Sequence, residues 1–95
     1  MTEVQVSKLR LVRIDWVDSH SSRGWQQIED IGEARGGLHC SSVGWLLAEG
    51  KETVTIAAHL GLSNDRRTVT QGHSDMTIPR VAITKMRFLV RPKPS

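Results

Sequence analysis

In Ile78-Pro79-Arg80-Val81-Ala82-Ile83 a proline separates two short apolar stretches. Proline has no N–H to donate to a ladder, so a sheet containing Ile78 must break at the next residue. One turn of 3₁₀ helix between two short strands, residues 76–78 and 83–90, fits that break. Ile83, Met86 and Phe88 are the apolar anchors of the later strand. After it, Pro92 and Pro94 mark residues 91–95 as an exposed, disordered tail.

Upstream, Val54, Ile56 and Ala58 alternate with polar residues, which predicts a strand over 53–59. Glu49-Gly50-Lys51-Glu52 then reads as a four-residue hairpin loop joining it to a strand over 38–48. Residues 61–75, rich in Ser, Asn, Asp, Arg, Gly and His, read as a long flexible loop. The first strand covers residues 9–16, begun by Val4 and Val6, with Leu9, Leu11, Ile14 and Trp16 apolar. Val12 shifts that alternation by one residue, as at a bulge or in a strand covered on both faces. Between the first two strands, Trp25, Ile28, Ile31 and Ala34 recur every three residues. They predict a short helix of about three turns, packed on the sheet because it is too short to stand alone. Ser21 or Ser22 would cap it, and Gly36-Gly37 would end it.

The class expected is therefore mainly β: one domain over 1–95, with its core over about 9–90. Strand, helical excursion, strand, tight hairpin, strand, loop, strand, 3₁₀ turn and strand is the order of small five-stranded barrels of the Src-homology (SH3) and Sm-like type. The helix departs from the Sm pattern by following the first strand, which counts against an Sm-type ring more than against the barrel.

Only 38% of the 95 residues are apolar and four are aromatic, Trp16, Trp25, Trp45 and Phe88, so Val, Ile and Leu must fill the core. A domain this small is expected to gain stability by homo-oligomerisation. Residues 1–7 lack the basic start and apolar run of a secretory signal, and no stretch is apolar enough to span a bilayer. A lone cysteine, Cys40, fits a reducing cytoplasm. The net charge of +3 is unevenly spread. Residues 1–14 hold three bases against one acid, 80–95 hold five bases and no acid, and 15–79 hold five bases against nine acids.

Four phrases, Asp15-Trp16-Val17-Asp18-Ser19-His20, Gly24-Trp25, Ser42-Val43-Gly44-Trp45-Leu46-Leu47 and Ile78-Pro79-Arg80-Val81-Ala82-Ile83, together resemble a group of small proteins encoded by tailed phages and prophages. They span roughly residues 11 to 89. The resemblance implies a phage origin and carries over no activity. It favours a compact protein that acts on host machinery or host defence in the cytoplasm of the host bacterium.

The densest polar cluster is Asp18 to Trp25. Its plain reading is a turn and helix cap; its sharper one is an anion pocket made by free amides, Ser19, His20 and Arg23 beside Trp25. Arg66 and Arg67, flanked by Asp65, read either as solvated loop charges or as guanidiniums that close over such a ligand from the loop, with Arg80 as a further cation. Pairing of the first and last strands would bring Lys8 and Arg10 near Lys85 and Arg87, a basic stripe that serves either as an anion-binding surface or as protection for an exposed edge.

Catalysis finds no constellation: Asp18, Ser19 and His20 are adjacent rather than convergent, and no Gly-x-Ser-x-Gly elbow is present. His20, His39, His59, His73 and Cys40 show no metal-ligand spacing, which leaves open only a site assembled from different strands. No metal or other cofactor is expected. With no Tyr and one Phe, base stacking has little to work with. The expected function is a non-enzymatic module holding an anionic, nucleotide-like ligand, such as an immune-signalling nucleotide sequestered by a phage. The alternatives are an inhibitor or adaptor that binds a host protein, and, ranked below both, non-specific nucleic-acid binding. No membrane partner is expected.

Overall fold

A computed structural model of the chain describes residues 3–19, 24–31 and 37–90. Six strands form one curled antiparallel sheet: β1 (Val4–Gln5), β2 (Leu11–Asp18), β3 (Leu38–Glu49), β4 (Thr53–Leu62), β5 (Thr68–Pro79) and β6 (Ile83–Phe88). Their order is β1-β5-β4-β3-β2-β6. The strand count is thus six where five were expected. The extra one is the two-residue β1, which pairs Val4 with Val69 and Gln5 with Thr68.

The Pro79 break is where the sequence places it. Pro79 ends β5, Arg80–Ala82 form one 3₁₀ turn, and β6 follows. Arg80 pins this corner to the β3–β4 turn. Its N–H donates to Glu52 O (2.8 Å), its Nε to Gly50 O (2.7 Å), and its Nη2 meets Glu49 Oε1 (3.0 Å). The hairpin at 49–52 closes with Gly50 N donating to Thr53 O.

Val12, Ile14, Val54, Ile56, Ala57 and Ile78 are the buried apolar residues, with Trp16, Leu46, Ala82, Ile83 and Met86 packed against the cluster. Val12 is therefore in phase with Ile14 and Trp16. What looked like a slip at Val12 is the start of the ladder: β2 begins at Leu11, and Leu9 precedes it. The real irregularity is a bulge opposite Asp15 and Trp16, where β6 carries the extra residue Thr84.

Two expectations are corrected. Residues 61–75 are not a long loop. They finish β4, make a tight turn and begin β5, with His59, Leu60, Gly61 and Leu62 opposite His73, Gly72, Gln71 and Val69. The β3–β4 ladder stops at Trp45 opposite Ala57, so the rest of this hairpin runs on as a two-stranded arm. The arm explains the dimensions, 59 × 28 × 26 Å, and a radius of gyration of 17.8 Å. A closely packed chain of this length would have one of about 12 Å.

The helix expected between the first two strands is likewise not shown as three turns among the described residues. The described residues hold one four-residue turn, Ile28–Ile31. Trp25, Ile28 and Ile31 keep 103%, 82% and 52% of their surface exposed, so the apolar stripe does not pack on the sheet. A short helix gains most of its stability from packing its apolar face, and among the described residues that face stays exposed. The expected caps, Ser21, Ser22 and Gly36, lie outside the described residues, as does the tail 91–95.

The arm's tip is built on Asp65. Its carboxylate accepts from the Ser63 hydroxyl (2.6 Å), the Arg67 and Thr68 N–H groups (2.7 and 2.9 Å) and the Thr68 hydroxyl (2.7 Å). The Ser63 hydroxyl first, then the Thr68 donors and the Arg67 amide, hold this carboxyl far below the usual carboxylate range. A carboxyl depressed on folding stabilises the fold fully above its unfolded value and loses that contribution as pH falls through its folded one. Acidification below the ordinary Asp range is therefore expected to begin loosening the tip. Asp65→Asn should loosen it at neutral pH, seen as faster exchange of the Arg67 and Thr68 amides.

Candidate functional site

β2 and β6 pair, as the sequence implied, but Lys85 and Arg87 do not stand beside Lys8 and Arg10. Arg13 stands opposite Arg87, and Asp15 opposite Lys85. Lys8 lies in the 3₁₀ turn before β2 and takes no part in the ladder. Arg10 instead lays its guanidinium 3.9 Å over the ring of Phe88. Side chains alternate along a strand, so with Val12 and Ile14 in the core, Arg13 and Asp15 occupy the other face.

On that face β3 contributes Ser41 opposite Asp15 and His39 opposite Val17. Arg13 Nε donates to both Asp15 Oδ1 (3.1 Å) and Ser41 Oγ (2.9 Å). Both bonds use the one Nε hydrogen, so the Nη groups remain available. Thr84 Oγ1, on the bulge, donates to Asp15 O at 3.1 Å. Arg13, Asp15, His39, Ser41 and Thr84 are among the residues around an open depression of about 250 Å³. The Ser41 hydroxyl foremost, then Arg13, with Arg87 adding to it, hold the Asp15 carboxyl below the usual range.

Three cations, Arg13, Lys85 and Arg87, thus share a surface with one carboxylate. Two like charges directly opposite across a ladder destabilise it, and Asp15 relieves only part of that repulsion. An anion at the seam would relieve the rest. Pockets that enclose a drug-sized ligand measure about 300–1,000 Å³, so a depression of this size has room for a small group and does not enclose a whole molecule of that kind.

The residues singled out in the sequence are scattered. Ser19 follows β2, its N–H donating to Asp18 Oδ1 at 2.8 Å. His20 and Arg23 lie outside the described residues. Trp25 is fully exposed. Arg66 and Arg67 form the turn at the arm's tip, Arg66 with φ of 59°, and the Arg67 carbonyl accepts from Val6 N. Arg80 is engaged at the far end of β5, which its twelve residues place up to about 40 Å along the strand from Arg67. Arg66, Arg67 and Arg80 are therefore not brought together. Of the basic stripe, Lys85 and Arg87 belong to the cationic seam. Arg13, Asp15, Ser41 and Thr84 were missed, although Arg13 and Asp15 sit two apart in a strand and so share a face by alternation alone.

A second depression, of about 270 Å³, lies between the N-terminal segment and the arm and is lined largely by apolar groups, among them Val4, Leu9, Leu47, Leu60 and Val69. Among the described residues no helix is long and apolar enough to cross a membrane. No protein-family model matches this chain, and no curated protein or solved structure matches it either.

Proposed function

We propose that this chain is a non-enzymatic binding module that holds an anionic ligand on the outer face of the β2–β6 seam. The observation that carries the reading is the register that sets Arg13 against Arg87 and Lys85 against Asp15. Arg13 contributes its open Nη groups, Arg87 and Lys85 contribute charge, and the Ser41 and Thr84 hydroxyls lie beside them. The architecture we assign is the SH3/Sm-like small barrel. The run β5-β4-β3-β2-β6, with a 3₁₀ turn joining β5 to β6, supports it. With the phage-like phrases, the ligand we favour is a phosphate-bearing nucleotide of host immune signalling, sequestered in the host cytoplasm.

Calorimetry against cyclic and ADP-ribose-type nucleotides tests this, with Arg87→Glu as the variant. A hydrogen bond to a charged group contributes about 1.5–3 kcal/mol, so affinity should fall by about ten- to hundredfold. Lys51→Glu, in the β3–β4 turn, should leave it unchanged. No heat with any nucleotide would sink this reading.

A second reading, binding to a host protein or to further copies of the chain, has its own support. Among the described residues β6 pairs only with β2, and β5 beyond β1's two residues pairs only with β4, so two sheet edges are open. Val81, at the corner between them, is 98% exposed. This reading predicts stoichiometric capture of one host protein or a dimer or larger species at micromolar concentration. Non-specific nucleic-acid binding by the same cations would instead show affinity falling steeply with salt.

A further inference from the structure

The arm carries two histidines directly opposite one another. His59 on β4 pairs with His73 on β5, so both side chains leave the same face. Their ring centroids lie 5.8 Å apart and the rings are tilted by 56° rather than stacked. Both residues are exposed. The Nδ1 atom of His73 is 2.9 Å from the hydroxyl of the next residue, Ser74. Ser74 holds φ at 56°, a left-handed conformation that a non-glycine residue in mid-strand rarely adopts.

We propose that His59 and His73 form a two-imidazole site for a borderline divalent transition-metal ion, copper(II), nickel(II) or zinc(II). The spacing is what such an ion needs. A metal–nitrogen bond of about 2.0–2.1 Å places each ring centroid about 3.2 Å from the ion, so two rings stand about 5.2 Å apart at the tetrahedral angle of zinc(II) and about 4.5 Å apart at the right angle of square-planar copper(II) or nickel(II). A small rotation of either ring closes the remaining gap.

The contact with Ser74 commits Nδ1 of His73 and leaves Nε2 for the metal. A ligating histidine commonly has its second nitrogen hydrogen-bonded in this way, which fixes the tautomer and the ring. The left-handed turn at Ser74 has a physical role on this reading, since it carries the hydroxyl back to the preceding ring. Among the described residues no three His, Cys, Asp or Glu groups converge on one point, so these two imidazoles are the ligands the described residues supply, and water would fill the remaining positions. The pair lies one rung beyond Ala57–Asp75, where β4 has lost its neighbour β3. A bound ion would therefore clip together the part of the hairpin that the sheet supports least.

The test is calorimetric titration of the untagged full chain, stripped with chelator, with nickel(II), copper(II) and zinc(II). One ion per chain is expected, with copper(II) tightest in line with the general order of divalent affinities. His59→Gln and His73→Gln should each weaken binding at least about tenfold, because one imidazole no longer chelates. His39→Gln, on β3 away from the arm, should leave the metal affinity unchanged. Ser74→Gly removes the hydroxyl while tolerating positive φ, and about a tenfold loss is expected from the lost orienting contact. The metal should also raise the melting temperature of the unsubstituted chain and not of the His59→Gln variant, whose circular dichroism should be unaltered. Binding that persists in both His59→Gln and His73→Gln, or that is lost equally in His39→Gln, would overturn the assignment. So would no binding at all, which would leave an exposed cross-strand ring pair and nothing more.

Discussion

Ile14→Ala is expected to leave the protein with little or none of its folded stability. Ile14 is fully buried in a cluster of five buried apolar residues among those described, on a strand that pairs with both β3 and β6. Truncating a buried Ile to Ala costs about 2–5 kcal/mol through lost transfer energy and the cavity left behind. A chain of this length has roughly 5–14 kcal/mol to lose. An elongated molecule with an arm outside the core belongs at the low end of that range. Urea unfolding followed by tryptophan emission, which Trp16 reports from beside the core, should show a midpoint lowered by half or more. The same truncation at Ile28, 82% exposed, should move it by less than about 0.5 kcal/mol.

Gly44→Ala is the second large effect, and its sign runs against the usual one. Alanine in a strand interior ordinarily stabilises relative to glycine by about 0.5–1 kcal/mol. At Gly44 an added Cβ would stand 2.8 Å from the carbonyl oxygen of Ala57, 3.2 Å from its carbonyl carbon and 3.2 Å from Ile56 Cβ. Two of those atoms are backbone and cannot swing aside. Gly44 sits where β3 passes from the ladder with β2 to the ladder with β4, and the close approach is how the sheet curls there. A loss of about 1–3 kcal/mol is expected from overpacking. At Gly72 the nearest atoms are 3.7 Å or more away, so Gly72→Ala should be neutral or slightly stabilising. Comparable unfolding midpoints for the two variants would contradict the bend assigned to Gly44.

The parts of this fold that could be read from the sequence are those governed by one strong local constraint. Proline's missing N–H marks the corner at Pro79, and the alternation around Glu49–Glu52 marks the hairpin. Residues 68–75 hid their strand because nearly all of them are exposed on both faces. Backbone pairing with β4, not an apolar pattern, makes them β. The Trp25-Ile28-Ile31 spacing suggested a helix packed on the sheet, which the exposure of all three side chains does not bear out, because periodicity records which side chains share a face, and not whether a surface waits to receive them.

The candidate site hid for a related reason. Asp18 to Trp25 drew attention by being polar and contiguous, whereas Arg13, Ser41 and Thr84 come from three strands and become neighbours only through the ladder register. In that register Arg10 meets Phe88, and Arg13 rather than Lys8 or Arg10 stands opposite Arg87.

The central claim, an anion held on the β2–β6 seam, is tested most directly by titrating the isotope-labelled protein with a phosphate-bearing nucleotide and mapping the amide shifts. Saturable changes clustered at Arg13, Ser41, Thr84 and Arg87, absent from the Arg87→Glu variant, are the expected result. Changes confined to Ser19 and the Arg66–Arg67 turn, or no saturable change at all, would contradict it.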